Sequence, residues 1–386
     1  MLVRDICIVQ SNNYQKKEKW NYFNYLDTGN LTRNHLQSFQ FIKSEKDLPS
    51  RAKQKVELND ILYSSVRPIQ EHYGFIDKIC DNLLVSTGFI ILKPLSNLVN
   101  PKYLFYYLTQ KEIINQLQTI AQNSTSSYPS ISKDDILNLQ IDLPSLQSQE
   151  KIVFILTLLD QQIERNESIV KRLQVLGQAI FNRFFYSENN LISLVDFPYI
   201  QVIKPGIIKF ENKKHYIATA EIEGEQFNYN APLIEYESRE NRANMQPVPD
   251  SVWFAKMKNS IKHIYVTQND KIINQNYIFS TGFCGIKCEE FAFEYMINYL
   301  NLSYFEKKKD ITSHGATMES INNDDLKSFK IHLPTKDKLI LFHNKTKEIY
   351  YEISRIRQAT FQLTCLKDKL LPLLINGQLK QFKSPT

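Results

Sequence analysis

Glycine is scarce in this chain and poorly placed for nucleotide chemistry: ten residues in 386, with no Gly-x-Gly and no Gly-Lys-Ser/Thr anywhere. Dinucleotide and S-adenosylmethionine loops of the glycine-rich kind are therefore excluded, as is a P-loop, because each needs glycine where the backbone closes on its ligand. No two of the 14 prolines are adjacent, so the Asn/Asp-Pro-Pro-aromatic site of amino methyltransferases is missing too. The five cysteines, Cys7, Cys80, Cys284, Cys288 and Cys365, are odd in number. Only Cys284 and Cys288 are close, and no second Cys or His pair stands near them, so the thiols are read as reduced and no metal site is expected. The seven histidines are scattered, with His314 in a loop and His332 in a strand-like run. No apolar run approaches the roughly 18 residues of a membrane span. Met1-Leu-Val-Arg-Asp5 lacks the basic-then-apolar layout of a signal peptide, and the cytoplasm is the expected location.

Charge is present but unevenly spread. The net charge is +6, yet residues 1–145 carry 16 Lys and Arg against 14 Asp and Glu, residues 146–190 carry 5 against 5, and residues 191–335 carry 16 against 18. Residues 336–386, with 10 against 4, hold the excess. A basic footprint over the whole surface is absent, so any nucleic-acid reading must rest on architecture and local patches. Apolar residues make up 42% and charged residues 23%, a composition able to bury real cores.

What the chain does have is a repeat. Ile131-Ser-Lys-Asp-Asp-Ile-Leu-Asn-Leu-Gln-Ile-Asp-Leu-Pro144 returns 190 residues later as Ile321-Asn-Asn-Asp-Asp-Leu-Lys-Ser-Phe-Lys-Ile-His-Leu-Pro334. Asp5 matches Asp196, Tyr25 matches Tyr216, Arg51-Ala52 matches Arg242-Ala243, and Ser86-Thr-Gly-Phe89 matches Ser280-Thr-Gly-Phe283. Ile163-x-Arg165 likewise matches Ile353-x-Arg355. A unit this long is a domain with its connector, not a solenoid repeat of roughly 20 to 50 residues. One polypeptide then carries a pseudo-dimer, which suits a two-part target such as duplex DNA.

Each copy reads as an α+β globular part followed by a long helix. In the first, β-rich runs at Lys55–Tyr63 and Leu83–Leu92 are broken by Pro68, Gly74 and Pro94. A helix is expected over Pro101–Leu117, opened by its proline. The Ser/Asn loop 123–127 then leads to an element capped by Ser132 with Asp135 three residues on, followed by a strand Leu139–Leu143 ending at Pro144. The expected boundaries are 1–145 for the first globular domain, 146–186 for its helix, 187–335 for the second domain, 336–379 for its helix and 380–386 for a tail.

The helical segments carry a heptad stripe. Ile152, Leu156, Leu159, Ile163, Asn166, Val170, Leu173, Gly177, Ile180 and Phe184 step by four and three alternately. Phe342, Thr346, Ile349, Ile353, Ile356, Thr360, Leu363, Lys367, Leu370 and Leu374 repeat the frame at an offset of 190. Each stripe implies a helix of roughly 45 to 50 Å, with Pro372 expected to end or bend the second. An amphipathic helix so long needs a partner in water, and its own copy is at hand. The two are expected to pair antiparallel as a coiled coil, with the globular parts at opposite ends of a rod.

No catalytic constellation emerges. Pro249-Asp250 with Asp325-x-Lys327 is a forced match to a metal-nuclease pattern, because some 75 residues intervene and the copy Asp134-Asp135 lacks the lysine. Acidic groups at a helix start explain both pairs.

These features together resemble the specificity subunit of type I restriction-modification enzymes. The residues that carry the resemblance are the two halves, the Tyr63-Ser-Ser-Val-Arg67-Pro68 run before a glycine loop, Ser86-Thr-Gly-Phe89 with its copy, and Leu143-Pro144 and Leu333-Pro334 before long helices. The ending Lys369-Leu-Leu-Pro-Leu-Leu-Ile-Asn-Gly377-Gln-Leu379 is similar to the family's Leu-Leu-x-x-Leu-x-x-Gly. The resemblance implies a non-catalytic subunit whose two target recognition domains read an interrupted DNA site, and whose helices act as ruler and as dock for two modification subunits. Those partners would carry S-adenosylmethionine and methylate adenine N6, and restriction subunits would add ATP and magnesium chemistry. In the second half, Asn274-Gln-Asn-Tyr-Ile-Phe279 is read as standing where the first has Arg67-Pro68. A free-standing DNA-binding regulator and a metal nuclease using Asp325 are the alternatives.

Base readout calls for Arg, Asn or Gln, whereas Lys, Ser and Thr position phosphates. The candidate DNA-binding residues are Arg51, Lys53, Ser64, Ser65 and Arg67 in the first domain, and Arg239, Arg242, Lys256, Lys258, Gln275 and Asn276 in the second. Ser86-Thr-Gly-Phe89 is assigned to structure, its glycine allowing close packing.

Overall fold

The computed structural model of the chain describes residues 1–123, 128–186, 190–224, 226–227 and 231–378; most of the expected Ser/Asn loop and the tail lie outside them. Its contacts divide the chain into two units, Met1–Gln161 with Thr364–Thr386, and Gln162–Leu363.

Two four-stranded sheets organise the first unit. One runs in the order Cys7–Gln10, Phe89–Pro94, Ile61–Ser64, Tyr73–Phe75, antiparallel throughout. The other runs Gln40–Ile42, Phe23–Leu26, Leu83–Ser86, Ala52–Gln54, and its two central strands are parallel. The expected strand Leu83–Leu92 is thus two strands in two sheets, joined by the turn Thr87-Gly88. Leu83–Ser86 is buried at every position, as a parallel central strand must be. Against the first sheet pack helices α1 (Pro101–Leu108) and α2 (Lys111–Gln122). The single helix expected over Pro101–Leu117 breaks at Thr109-Gln110, where Gln110 is extended and buried and its side-chain amide donates to the Tyr107 carbonyl at 3.2 Å. Helix α3 (Lys133–Leu137) carries the expected Ser132/Asp135 capping box. Residues 139–143 form no full strand. They run beside residues 1–3 with one isolated bridge, Leu2 to Gln140.

Helix α4 (Leu146–Phe185) spans 40 residues and belongs in part to each unit. The second unit repeats the first one's plan. Ile200–Val202, Phe283–Cys288, Ser251–Ala255 and His263–Val266 form one sheet, and Leu233–Ile234, Lys214–Ile217, Tyr277–Ser280 and Ala243–Met245 the other, again with a parallel central pair. Even the irregularity is copied, since register shifts between Ala52 and Gln54 and between Ala243 and Met245. Helices α5 (Lys271–Asn276), α6 (Phe293–Leu300) and α7 (Ser303–Thr312) follow, then a 3-10 turn Asp324–Ser328 and helix α8 (Lys336–Ile375).

Within each unit the local stretches of α4 and α8 pair antiparallel. In the first, Lys367 bonds Asp160, and Ile152, Leu156, Leu371, Leu374 and Ile375 join one apolar core. In the second, the Asn166 amide donates to Thr360 Oγ1 at 3.1 Å, and the Phe184 and Phe342 rings lie 5.5 Å apart. The stripe positions are all buried or half-buried. Near the end of α4 the fully buried rings are Phe181 and Phe185, with Ile180 and Phe184 half-buried, as expected when a 3.6-residue helix drifts about 20° per heptad from a 3.5-residue frame. Forty residues correspond to about 60 Å, longer than the stripes alone implied. Pro372 does not end α8. The helix runs on to Ile375 and is closed by Gly377 (φ 66), with Gln378 N donating to Leu373 O at 3.0 Å. Among the described residues no helix is long and apolar enough to cross a membrane.

Candidate nucleic-acid interface

The turn that links the two sheets of each unit is built with almost no spare volume. Ser86 is buried and its Oγ accepts from Gly88 N at 3.3 Å, while a Cβ on Gly88 would sit 2.9 Å from Thr28 Cγ2. Ser280, Gly282 and Thr219 repeat this at 3.1 and 3.0 Å. Glycine is required here by close approach rather than by a positive φ.

Around that turn the backbone makes the same set of hydrogen bonds twice. In the first unit Thr87 N donates to Arg51 O (2.9 Å), Ser65 N to Gly88 O (2.9 Å), Ile131 N to Ser65 O (2.8 Å) and Arg67 N to Pro129 O (2.9 Å). In the second, Thr281 N donates to Arg242 O (2.8 Å), Lys256 N to Gly282 O (3.0 Å), Ile321 N to Lys256 O (3.0 Å) and Lys258 N to Glu319 O (2.9 Å). Isolated bridges Val66 to Ser130 and Met257 to Ser320 complete each set. Arg51 thus corresponds to Arg242, Ser65 to Lys256 and Arg67 to Lys258. The counterpart of the Arg67-Pro68 run is Lys258-Asn259 and not Asn274–Phe279, which instead forms the end of α5 and the strand Tyr277–Ser280.

In the first unit, then, Arg51, Lys53, Ser65 and Arg67 surround one turn, and Arg51, Lys53 and Arg67 are exposed. Ser64 is buried and its hydroxyl exchanges hydrogen bonds with Val66, which occupies it internally. In the second unit Arg242, Lys256 and Lys258 share the equivalent place, with Arg242 exposed and Lys258 paired to Glu319 at 2.6 Å. The other nominees lie elsewhere. Arg239 stacks 4.1 Å from the Tyr236 ring centre and donates to the Tyr236 carbonyl, so its guanidinium is engaged by its own loop. Gln275 and Asn276 are exposed at the end of α5, before Tyr277–Ser280, whose far end meets the turn. At roughly 3.3 Å per residue, they stand about 10 Å or more away from it.

The sequence reading passed over two residues beside this turn. Tyr128, 63% exposed, lies under Arg67, whose guanidinium carbon is 5.5 Å from the ring centre, and Glu319 pairs with Lys258. The available signal was the alignment of Tyr128-Pro-Ser-Ile131 with Met318-Glu-Ser-Ile321 at the repeat offset.

Elsewhere titratable groups serve structure. Asp325 Oδ2 accepts from Asn322 N at 2.7 Å and lies 3.6 Å from His314 Nδ1. Among the described residues no group of three His, Cys, Asp or Glu could hold a metal ion. Burial pushes the thiols of Cys7 and Cys284 up to about 12, which leaves them protonated and unreactive.

The sequence model of the type I restriction modification DNA specificity domain matches residues 2–174. The chain is 24% identical over 431 aligned positions to the type I restriction enzyme HindI specificity subunit of Haemophilus influenzae, with 92% of this chain and 94% of the relative covered. It is 21% identical over 390 positions to the type I restriction enzyme MjaIX specificity subunit of Methanocaldococcus jannaschii, covering 91% and 86%. Among solved structures, a type I restriction-modification system S subunit from M. genitalium matches with a TM-score of 0.55 at 13% identity, over 97% of this chain and 95% of that one, a likeness of fold. With a doubled sheet plan and paired long helices, the chain is similar over most of its length to specificity subunits of type I restriction-modification enzymes, and residues 2–174 match the DNA specificity domain of that family.

Proposed function

We propose that this chain reads an interrupted, two-part DNA site and docks the catalytic subunits of its restriction-modification system. Residues 1–145 and 187–335 act as two target recognition domains, and residues 146–186 and 336–379 as the spacer helices. The observation that carries this reading is the copied hydrogen-bond frame that sets Arg51, Ser65 and Arg67 in one unit and Arg242, Lys256 and Lys258 in the other at equivalent places. Two matching frames with different side chains suit two half-sites of different sequence. Duplex DNA, two modification subunits and restriction subunits are the partners, in the cytoplasm. The subunit itself catalyses nothing, and S-adenosylmethionine, ATP and magnesium belong to the partners.

The reading is tested by co-expressing the chain with the modification subunits of its system and sequencing the methylated adenines. A two-part motif separated by a fixed gap is expected, and an undivided motif would refute the proposal. Inserting one heptad into both helices, at facing positions, adds about 10 Å. At about 3.4 Å per base pair the gap then widens by about three base pairs. An unchanged gap would rule out the ruler.

A further inference from the structure

We propose that the paired loops beside the copied turn form one base-reading position in each unit, filled by Arg67 backed by Tyr128 in the first and by Glu319 with Lys258 in the second. The proposal rests on the DNA-reading function above and assigns it to particular side chains.

The argument begins with what is held constant. In both units one loop is clamped to the sheet turn and to a second loop by the same backbone bonds: Ser65 or Lys256 on the turn, the bridge at Val66 or Met257, and Arg67 N or Lys258 N on the second loop. The frame therefore presents adjacent side-chain positions, 67 with 128 and 129 in one copy and 258 with 318 and 319 in the other. Their chemistry differs. Arg67 holds a left-handed backbone conformation (φ 47), is exposed, and forms no ion pair with any described residue. Its guanidinium lies over the Tyr128 ring, which steadies the planar fork without neutralising it. Lys258 is instead neutralised by Glu319 at 2.6 Å.

A site meant only to grip phosphates would keep a free cation in both copies, since phosphates are the same in every sequence. Here one copy offers a bidentate donor with no ion-pair partner among the described residues, and the other offers a carboxylate that is paired to the lysine through one oxygen and keeps the second as an acceptor. Arg67 fits the O6 and N7 acceptors of guanine, and Glu319 fits the N4 amino donor of cytosine. The two positions read different bases through one scaffold.

The test uses the chain assembled with its modification subunits and the methylated motif as readout. Arg67→Ala is expected to relax one base position in one half of the motif, with discrimination there falling about tenfold to a hundredfold, while the other half is unchanged. Arg67→Lys keeps stem and charge but loses the fork, so the same position relaxes; it also serves should the alanine variant fail to assemble. Glu319→Gln relaxes a position in the other half only. Uniformly weaker methylation with an unchanged motif in Arg67→Ala, full restoration by lysine, or no effect at all would each overturn the proposal. A wild-type complex lacking a two-part motif would instead overturn the function on which it rests.

Discussion

Gly177 faces Tyr350 where α4 and α8 meet in the second unit. A Cβ at Gly177 would lie 2.5 Å from the Tyr350 hydroxyl oxygen, 3.0 Å from Cζ and 3.4 Å from Cε2. Ordinary contact at such a place is about 3.5 to 4.0 Å, so the ring must retreat by about 1 Å. Tyr350 is only 5% exposed and packs with Phe342 and Ile353, against which Leu173 and Ile180 also lie. Overpacking of this kind costs about 1 to 3 kcal/mol, whereas alanine gains about 1 kcal/mol over glycine in a helix interior. Gly177→Ala should therefore destabilise by about 1 kcal/mol net, a fall in Tm of about 2 to 4 °C for a unit of this size. Tyr350→Phe removes the atom at 2.5 Å, and in that background the alanine should become neutral or stabilising. Thermal unfolding of the four chains of this cycle gives the coupling. Equal stabilisation by Gly177→Ala in both backgrounds would falsify the close approach of the two helices at this point.

Two further outcomes follow from the helices. Asn166, 7% exposed, donates to Thr360 Oγ1 and accepts from Gln162, a polar position in an apolar stripe that fixes register at a cost in stability. Asn166→Leu should raise Tm by about 2 to 4 °C, since Thr360 keeps its bond to the Ile356 carbonyl; a fall of that size measured by calorimetry would contradict this role. The second concerns pH. Burial raises the Glu294 carboxyl, and the 2.7 Å hydrogen bond to Glu294 raises His343 above its ordinary 6.5. Both shifts mean that the folded state binds more protons than the unfolded chain: the Glu294 contribution is full only below 4.5 and that of His343 below 6.5, and each is lost as pH rises through the group's raised folded value. Tm should decline as pH rises above 6.5, and Glu294→Gln should flatten that slope; an identical slope in the variant would show that the pair does not couple to folding.

The doubling and the helical seam were legible because both are spacings. An offset near 190 persists from Asp5/Asp196 to Ile163/Ile353, and stripe positions recur by three and four. Strand order was not legible. The parallel pairing of Phe23–Leu26 with Leu83–Ser86 joins segments nearly 60 residues apart, and nothing local to either run encodes it. The break between α1 and α2 was hidden because Thr109-Gln110 sits inside a continuous apolar spacing. At the candidate site, Arg51 and Arg242 could be matched by identity. Arg67 and Lys258 could not, because what makes them equivalent is a pair of backbone bonds that leave side-chain identity free.

The first unit is assembled from two separate stretches of sequence, whereas the second is one uninterrupted stretch. Leu370, Leu371, Leu374 and Ile375 seal the core begun by Val3 and Ile6, and the Tyr103 hydroxyl caps the Ile375 carbonyl at 3.3 Å. The first core therefore cannot close until a segment more than 200 residues later in sequence has been made, whereas the second core is complete within one stretch. A chain cut short before Leu370 would leave that core open, with the apolar side chains around Val3, Ile152 and Leu156 uncovered, although every strand of the first unit's two sheets would still be present.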